Sequence, residues 1–378
     1  MLDQEKFYKA LKNNGIRFFC GVPDSHLNAF CTYLAENVPD CRHVIAANEG
    51  SAIAIAAGNY FVTGKTPFVY MQNSGLGNAL NPLVSLVDRN VYSVPMILLI
   101  GWRGDPADRD HEQHKTQGRI TTPLMGLLDL PYRVVADDNQ LIDETVSWAV
   151  KTAQTSESPV ALIARKGVFA EKDKKPPVDD SFPMSREDAI KVILDNTPRN
   201  TLFVATTGRA TRELYFLRQE RGEPHHNDVL NVGAMGHASS IAMGMALSKP
   251  ERPVICLDGD AAAIMHMGVF TTVSRYPLPN YIHIILNNGA HESVGGQISA
   301  GQGISFEEIA NGSGFRAVTV DNAADLAGAI KGFSDMKAAS LIDVHIRQGM
   351  RSFLPPLNID HSALIAEFMR KNTDEECN

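Results

Sequence analysis

Residues 254–262 read Val254-Ile255-Cys256-Leu257-Asp258-Gly259-Asp260-Ala261-Ala262, an apolar run that ends in acidic and small residues. The run predicts a buried strand, and open α/β sheets bind ligands beyond the carboxyl ends of such strands. Gly259 allows the backbone to approach a ligand closely. Ala261 and Ala262 open a helix whose free N–H groups can receive a diphosphate. This stretch therefore predicts an anion-binding edge in an α/β domain.

A second apolar run ends in Leu286-Asn287-Asn288-Gly289-Ala290 and predicts another strand that carries polar groups at its end. Mg²⁺ binds through one or two carboxylates, other oxygens and the phosphates of its ligand. We therefore expect Asp260, the Asn288 side chain and the Ala290 carbonyl oxygen to bind Mg²⁺. Two alternatives stay open. Asp258 could be the metal ligand, or the first segment could be only a strand-to-helix turn capped by an aspartate.

The composition is that of an ordinary globular protein, with 44% hydrophobic and 21% charged residues in a chain of 378. This length suffices for two domains. The formal net charge of −8 argues against a nucleic-acid partner, because such a partner favours a basic surface. No apolar run approaches the roughly 20 residues of a membrane span, so no membrane partner is expected.

The five cysteines of the chain indicate the kind of cellular compartment in which the protein works. They are odd in number and show no C-x-x-C spacing, which favours a reducing environment. The N-terminus lacks the basic start and apolar core of a secretory signal. We therefore expect a cytoplasmic protein.

Predicted strands alternate with predicted helices along the whole chain, which indicates parallel sheets with helices on both faces. Residues 170–184 are charged and rich in proline, so they predict a linker. The predicted fold class is α/β, with two doubly wound parallel-sheet domains at residues 1–169 and 185–378. Neither domain has a Gly-x-Gly-x-x-Gly motif opening its first helix, which weighs against a nicotinamide-dependent enzyme.

Polar residues follow the predicted strands of the first domain. Asp24 and Ser25 follow a short strand, and either could be a simple helix cap. Glu49 lies where a strand meets a helix of small residues, so it is either a helix-dipole partner or a buried functional acid. Asn73 and Gly75 belong to a turn that allows close approach to a flat ligand.

Residues 108–118 are predicted to form a polar loop at a strand's carboxyl end. The segment contains Asp110, His111 and His114. One interpretation is a metal site, and the other is contact with an anionic substrate.

Gly259-Asp260-Ala261, followed downstream by Asn287-Asn288, resembles the Gly-Asp-Gly…Asn-Asn signature of thiamine-diphosphate-dependent enzymes, with Ala261 in place of the third glycine. The resemblance to the 2-keto acid decarboxylases of that family extends along nearly the whole chain. Segments 21–25, 110–114, 206–209 and 287–297 resemble, more narrowly, the branch that acts on phosphonopyruvate or sulfopyruvate. The resemblance implies a first domain for the aminopyrimidine, a second for the diphosphate, and no middle domain.

The resemblance also implies roles for particular residues. Glu49 falls where the family has the glutamate that protonates the pyrimidine ring, and Met235 falls where it has an apolar residue under the thiazolium. The implied cofactors are thiamine diphosphate and Mg²⁺. The implied assembly is a homo-oligomer, at least a dimer, in which Glu49 and the diphosphate site face each other from different subunits. The other expected cofactor-binding residues are Asn73, Gly75, Thr206, Gly208, Gly259, Ala261 and Ala262.

The implied substrate is a small 2-keto acid with a remote anionic group. Arg209 is the first choice to bind that anion, because a guanidinium offers a planar fork. Arg209 could instead contact the diphosphate or form a surface ion pair. The further substrate-binding candidates are His26 and Arg103.

Proton transfer after CO₂ departs is expected from His114 and His291, because imidazole titrates near neutrality. The further catalytic candidates are Asp24 and Ser25. The implied reaction converts phosphonopyruvate to phosphonoacetaldehyde and CO₂, with sulfopyruvate decarboxylation and then carboligation of two keto acids as alternatives. An inactive cofactor-binding regulatory subunit is a further alternative, which the presence of Glu49, His114 and Asp260 together disfavours.

Overall fold

The computed structural model describes residues 1–170, 181–334, 338–349, 351, 353–355 and 357–373. The chain forms two compact units, Met1–Pro176 with Ser293–Gln297, and Pro177–Glu292 with Ile298–Asn378. Each unit contains one six-stranded sheet whose paired strands are all parallel. This architecture confirms the predicted pair of doubly wound α/β sheets. The predicted linker at 170–184 lies mostly outside the described residues, so its bounds stay a prediction.

The sheet of the first unit has the strand order β2-β1-β3-β4-β6-β5. Its strands are β1 (Phe19–Gly21), β2 (His43–Ile45), β3 (Phe68–Gln72), β4 (Met96–Gly101), β5 (Tyr132–Val134) and β6 (Pro159–Ala164). The order reverses between β1 and β3, and ligands bind open α/β sheets at such a switch point.

Six helices accompany this sheet: α1 (Gln4–Asn13), α2 (Asn28–Asn37), α3 (Glu49–Thr63), α4 (Leu76–Ser85), α5 (Glu112–Leu127) and α6 (Ile142–Ser156). Helix α3 has clear boundary signals in the sequence. The Asn48 side chain accepts a hydrogen bond from Ser51 N at its start, and Gly64 ends it with a positive φ of 64°. The capping residues therefore fix Glu49 as the first residue of the helix.

Apolar side chains fill both faces of this sheet. All six residues of β4 are buried, as expected for a central parallel strand covered on both sides. On one face, Phe7 packs edge-on against Phe30 and Phe169, with ring centroids 5.1 and 5.3 Å apart. Such burial of aromatic rings dominates core energetics, so it holds the strand ends in fixed positions.

The sheet of the second unit has the strand order β11-β12-β10-β9-β7-β8. Its strands are β7 (Leu202–Ala205), β8 (Asp228–Leu230), β9 (Val254–Gly259), β10 (Tyr281–Asn287), β11 (Arg316–Val320) and β12 (Ser340–His345). Here the order reverses between β7 and β9. The stretch quoted first thus forms a central strand that ends at a switch point.

The helices of the second unit are α7 (Arg186–Asp195), α8 (Arg209–Glu220), α9 (Ala238–Ser248), α10 (Asp260–Met265), α11 (Val269–Val273), α12 (Phe306–Ser313), α13 (Ala323–Ser334) and α14 (His361–Asn372). Ser185 and Asp188 form a reciprocal capping box at the start of α7. Helix α10 begins directly after β9, so Asp260 is its first residue.

One prediction of local structure was wrong in part. The segment 108–118 is not a continuous polar loop, because α5 begins at Glu112 and includes His114. Gly118, on this helix, lies against the backbone of Gly104 so closely that a side chain there would collide with the Gly104 carbonyl. This close packing fixes the helix against the loop after β4. The tertiary contact therefore stabilises a helix where the polar sequence predicted a loop.

Two further findings concern the surface and the cysteines. Among the described residues, no helix combines the length and apolar character needed to cross a membrane. Four cysteines within the described ranges are free: Cys20, Cys31 and Cys256 are buried, and Cys41 is exposed.

Candidate active site

The register of the second sheet brings Asp260 and Asn288 to the same edge. Gly259 at the end of β9 pairs with Leu286 near the end of β10, so the residues that follow both strands leave the sheet side by side. Asp260 is only 3% exposed and Asn288 7%. The two predicted metal-binding side chains are thus buried at adjacent strand ends.

The Asp260 carboxylate lies in a tight protein environment. The Ser299 hydroxyl donates a hydrogen bond to it, and Gly301 lies so close that a side chain there would clash with it. Burial raises the pKa of Asp260 to about 6, although the Ser299 hydrogen bond opposes this. A cation bound here would offset that cost of burying the charge.

Asp258, the alternative metal ligand, is held elsewhere. Its carboxylate accepts from Gly259 N at 3.0 Å and lies 3.3 Å from His283 Nε2. With Cys256 these two side chains form a fully buried group whose ligand atoms lie within 4.8 Å of one another. Burial raises the pKa of the Cys256 thiol well above its usual value. The arrangement therefore favours Asp260 over Asp258 at the sheet edge.

The loop after β10 is fixed by its own polar groups. Asn288 Oδ1 accepts from Ala290 N at 3.2 Å, and Asn288 Nδ2 donates to Glu292 Oε2 at 3.0 Å. Asn287 donates to Asp343 at 3.2 Å. These bonds hold Asn288 and Ala290 in one turn, which is what a shared ligand set requires.

Among the described residues of this unit, several buried polar atoms lack a hydrogen-bond partner, and they include Thr206 Oγ1, Asn231 Nδ2 and His266 Nε2. Thr206 follows β7 and Asn231 follows β8, so both come from carboxyl strand ends. A buried polar group without a partner is costly, so such groups indicate a bound ligand. Hydroxyl, amide and imidazole N–H groups can all donate to a diphosphate, so these residues fit that group.

The glycines and alanines of this edge have different roles. Gly208 has a φ of 107°, which favours glycine, and it directly precedes α8. Gly259 has a φ of −110°, an extended conformation that any residue can adopt, so the backbone itself does not require glycine there. A side chain at Gly259 would meet no protein atom, which leaves open space beside Ala261 and the buried Ala262.

The turn that contains Met235 lies against helix α10. Gly236 has a φ of 87°, and a side chain there would collide with His266. His237 stacks on the same His266 ring at 4.3 Å. Met235 is half-buried in this turn and therefore lies close to the helix that Asp260 begins.

In the first unit, Glu49 is buried, with 5% of its surface exposed. Its carboxylate accepts a hydrogen bond from Asn78 Nδ2 at 2.7 Å. Gly75 lies directly against it, so any side chain at that position would clash with the carboxylate. The structure thus places Glu49 against the turn after β3, and the glycine at position 75 has a steric reason.

The Asn73 side chain is held by other protein groups. It is fully buried, donates to the Arg103 carbonyl at 2.8 Å and to Thr121 Oγ1 at 2.9 Å, and accepts from Arg103 N at 3.1 Å. These bonds use both hydrogens of the carboxamide and join the turn after β3 to the loop after β4 and to helix α5. A role for Asn73 in cofactor binding stays a prediction.

Asp110 organises the other polar residues of this sheet edge. Its carboxylate accepts two hydrogen bonds from Arg103, at 2.7 and 2.8 Å, and lies 2.9 Å from His114 Nδ1. Arg103 also donates to Ser25 Oγ at 3.0 Å. Although burial opposes it, the hydrogen bonds from Arg103 and His114 hold the pKa of Asp110 well below its usual range. This neutralised network argues against the metal interpretation of segment 110–114.

Asp24 and His26 lie beside this network. Asp24 Oδ2 accepts from His26 N at 2.9 Å, whereas Asp24 Oδ1 and His26 Nδ1 are buried without a partner. Burial raises the pKa of Asp24 to about 6, although the charge of Arg103 opposes this. Burial, and then the charge of Arg103, lower the pKa of His26 to about 4. Each group is therefore biased toward its neutral form.

A cavity of about 490 Å³ opens on these residues, a volume within the usual range for a small-ligand site. Ala29 and Phe169 contribute apolar wall. The charged and imidazole side chains that line it are His26, Arg103, Arg109, Asp110, His111 and Lys166. Arg109 and Lys166 were missed as candidates from the sequence, although Lys166 lies two residues after the predicted strand 160–164.

Arg209 in the second unit is engaged by a neighbouring acid. Its Nη1 lies 2.8 Å from Glu292 Oε1, and its Nη2 donates to the Glu292 carbonyl at 3.0 Å. Glu292 also pairs with the buried Arg186 and accepts from Gly349 N. This geometry favours the ion-pair alternative for Arg209. Glu292 was missed because the sequence does not show which charges meet.

The two histidines expected to transfer protons are both half-buried. Burial lowers the pKa of His291 to about 4, and burial lowers that of His114 even though Asp110 accepts from it. Both imidazoles are therefore biased toward the neutral form, which can accept a proton.

Comparison with known proteins gives matches in both halves of the chain. The thiamine pyrophosphate enzyme N-terminal TPP binding domain matches residues 4–123, and the C-terminal TPP binding domain matches residues 207–344. The chain is 31% identical over 369 residues to a phosphonopyruvate decarboxylase from Streptomyces hygroscopicus, covering 92% of this chain and 88% of the relative.

Two other relatives match over similar lengths. A phosphonopyruvate decarboxylase from Streptomyces viridochromogenes is 30% identical, covering 92% of this chain and 89% of the relative. A sulfopyruvate decarboxylase from Methanosarcina acetivorans is 26% identical over 371 residues, covering 92% of each.

The buried Asp24 carboxyl generates a prediction for stability. Its folded-state pKa of about 6 lies above the ordinary value of 3.8. Between these pH values the folded chain binds more protons than the unfolded chain, so its free energy of unfolding falls as pH rises. As pH rises across this window, the free energy of unfolding of the wild type should fall relative to that of Asp24→Asn by at most roughly 3 kcal/mol. Each pKa unit is worth about 1.4 kcal/mol.

Urea denaturation of the apoprotein between pH 4 and pH 7 measures this difference. Asp143→Asn, at an exposed residue, serves as the matched control. Its free energy of unfolding should differ from that of the wild type by a nearly constant amount at every pH. A constant difference for Asp24→Asn as well would contradict the prediction.

Proposed function

The chain belongs to the thiamine-diphosphate-dependent decarboxylases, and we propose that within this family it converts 3-phosphonopyruvate to phosphonoacetaldehyde and CO₂, as a step of phosphonate biosynthesis. The observation that carries this choice is the 31% identity to a phosphonopyruvate decarboxylase over 92% of the chain. The sulfopyruvate decarboxylase match, at 26% over a similar length, makes that activity the second candidate.

We propose that Mg²⁺ accompanies the cofactor and is held by Asp260, Asn288 and the Ala290 carbonyl. All three offer oxygen, the ligand atom that a hard cation prefers. Thr206 and the backbone N–H groups that start α10 would bind the diphosphate, because the Thr206 hydroxyl is buried without a partner. When bound, thiamine diphosphate supplies the carbanion stabilisation that decarboxylation needs.

Glu49 would bind the pyrimidine nitrogen of the cofactor. Its second oxygen accepts from Asn78, which fixes the carboxylate in one orientation. His114 and His291, both biased toward the neutral form, would move the proton that replaces the lost carboxylate. Asp110 holds His114 in place through its Nδ1.

The metal assignment predicts a difference between two neighbouring aspartates. Asp260→Ala should weaken thiamine diphosphate binding at ordinary Mg²⁺ concentration by more than the 10–100-fold that loss of an outer metal-site partner typically costs. Asp258→Ala should bind the cofactor nearly as well as wild type, since Asp258 pairs with His283. Isothermal titration calorimetry with Mg²⁺ held constant measures both affinities. The reverse pattern would move the metal to Asp258.

We also propose a homo-oligomer, at least a dimer. Helices α3 and α4 of the first unit expose several large apolar side chains: Ile55, Phe61, Val62, Leu80 and Val84. Contiguous exposed apolar surface of this kind marks interaction sites. A second copy of the chain would cover it, as the family resemblance implies.

Ile55→Asp should therefore shift the protein toward the monomer and lower decarboxylation at least tenfold. Leu127→Asp, at a side chain 82% exposed on helix α5, is the matched control and should change neither. Sedimentation velocity over a dilution series measures the assembly. A wild type that is monomeric and fully active would refute the proposal.

The substrate assignment predicts the outcome of a panel of keto acids. The value of kcat/KM for phosphonopyruvate should be at least tenfold higher than the values for sulfopyruvate and for pyruvate. The assay measures CO₂ release by the enzyme with thiamine diphosphate and Mg²⁺. Glu49→Gln, treated identically, is the control for uncatalysed release. Preference for sulfopyruvate would select the second candidate, condensed products would indicate a carboligase, and no CO₂ release from any keto acid would indicate a regulatory subunit.

A further inference from the structure

The cavity of the first unit carries an excess of positive charge. Arg103 and Asp110 line it together, but they neutralise each other through two hydrogen bonds. Arg109 and Lys166 also line it, and in the described part of the chain neither forms an ion pair or a side-chain hydrogen bond. Two exposed cations are therefore available to a ligand in this cavity.

The cavity lies at the edge of the sheet where ligands of α/β proteins bind. Lys166 comes shortly after the end of β6, Arg103 shortly after β4, and Ser25 shortly after β1. The carboxyl ends of these parallel strands share one edge. A ligand held by Arg109 and Lys166 would thus lie beside Ser25, His26 and Arg103, three residues that the sequence had already singled out.

We propose that Arg109 and Lys166 bind the remote anionic group of the substrate, with Arg103 contributing through the guanidinium hydrogens that Asp110 and Ser25 leave free. This inference rests on the proposed function and replaces Arg209, the first choice from the sequence. Arg209 already contacts Glu292 through both of its terminal nitrogens, so it has less capacity for a second anion.

The number of available charges also bears on the kind of anion. Like a phosphate group, a phosphonate carries roughly −1.5 to −2 charges near neutral pH, whereas a sulfonate carries one. Two unpaired cations match the phosphonate more closely, because a sulfonate would leave one of them without a counter-charge. The cavity therefore favours a phosphonate substrate over its sulfonate analogue.

The test uses the double variant Arg109→Gln with Lys166→Gln, which keeps a polar, unbranched side chain at each position and removes both charges. Its matched control is Arg42→Gln with Lys151→Gln, two exposed residues of the same unit that do not line the cavity. Charged hydrogen bonds are each worth about one to two powers of ten in affinity. The double variant should therefore lose at least tenfold in kcat/KM for phosphonopyruvate, and the loss for pyruvate should be at least tenfold smaller.

A binding measurement makes the result independent of turnover. Calorimetry of the holoenzyme with 3-phosphonopropionate should show at least tenfold weaker binding to the double variant than to wild type or to the control pair. With 3-sulfopropionate, the wild type should bind more weakly than with the phosphonate. Equal binding of 3-phosphonopropionate to wild type and the double variant would overturn the inference.

Separate outcomes contradict the anion site and the proposed function. If the wild type prefers phosphonopyruvate but the double variant keeps that preference and that affinity, the anion site lies elsewhere while the proposed function stands. If the wild type prefers pyruvate and does not bind 3-phosphonopropionate, the proposed function fails and this inference fails with it.

Discussion

The hydrogen bonds to the Asp110 carboxylate hold the polar side chains at the carboxyl edge of the first sheet in place. The carboxylate accepts two hydrogen bonds from Arg103 and one from Gly104 N, and it lies 2.9 Å from His114. Paired, charge-assisted bonds of this kind are the strongest that side chains form, and they fix orientation as well as distance. One acid thus connects the loop after β4, which carries Arg103 and Gly104, to His114 on helix α5.

A second acid has the same effect in the other unit. Glu292 pairs with Arg186 and Arg209 and accepts from Asn288, so it links the start of α7, the start of α8 and the loop after β10. In both units an acid neutralises the arginine that seemed most suited to an incoming anion. The charges that remain available are those without such a partner, and among the described residues that line the cavity of the first unit these are Arg109 and Lys166. Ligand charge selectivity therefore follows from which cations the protein itself leaves unpaired.

Much of the fold could be predicted because its signals are local. The apolar runs gave the strands, as in β9 and β10, and the caps at Asn48 and Ser185 mark helix starts. The start of α5 was missed because its first turn is polar, and what holds it is the contact of Gly118 with Gly104. Similarly, the hydrogen bonds of Asn73 to Arg103 and Thr121, which lie 30 and 48 residues away in the chain, were not predicted. Pairings at such separations depend on the sheet register, which single residues do not reveal.

The two buried carboxylates with raised pKa values show how differently a fold can treat the same group. Asp260 and Asp24 each have a pKa raised to about 6 by burial, but their surroundings differ. Asp260 lies at a strand end, accepts a hydrogen bond from the Ser299 hydroxyl and has open space beside it at Gly259, so a cation would have room to balance its charge. Asp24 has one oxygen without a partner and lies against Gly101, where a side chain would collide with it. Burial therefore shifts its titration upward toward pH 6, and no second acid or amide oxygen faces it among the contacts that the described residues make with it. The proposed cation site at Asp260 and the partner-free oxygen of Asp24 therefore differ because of their neighbours and not because of residue type.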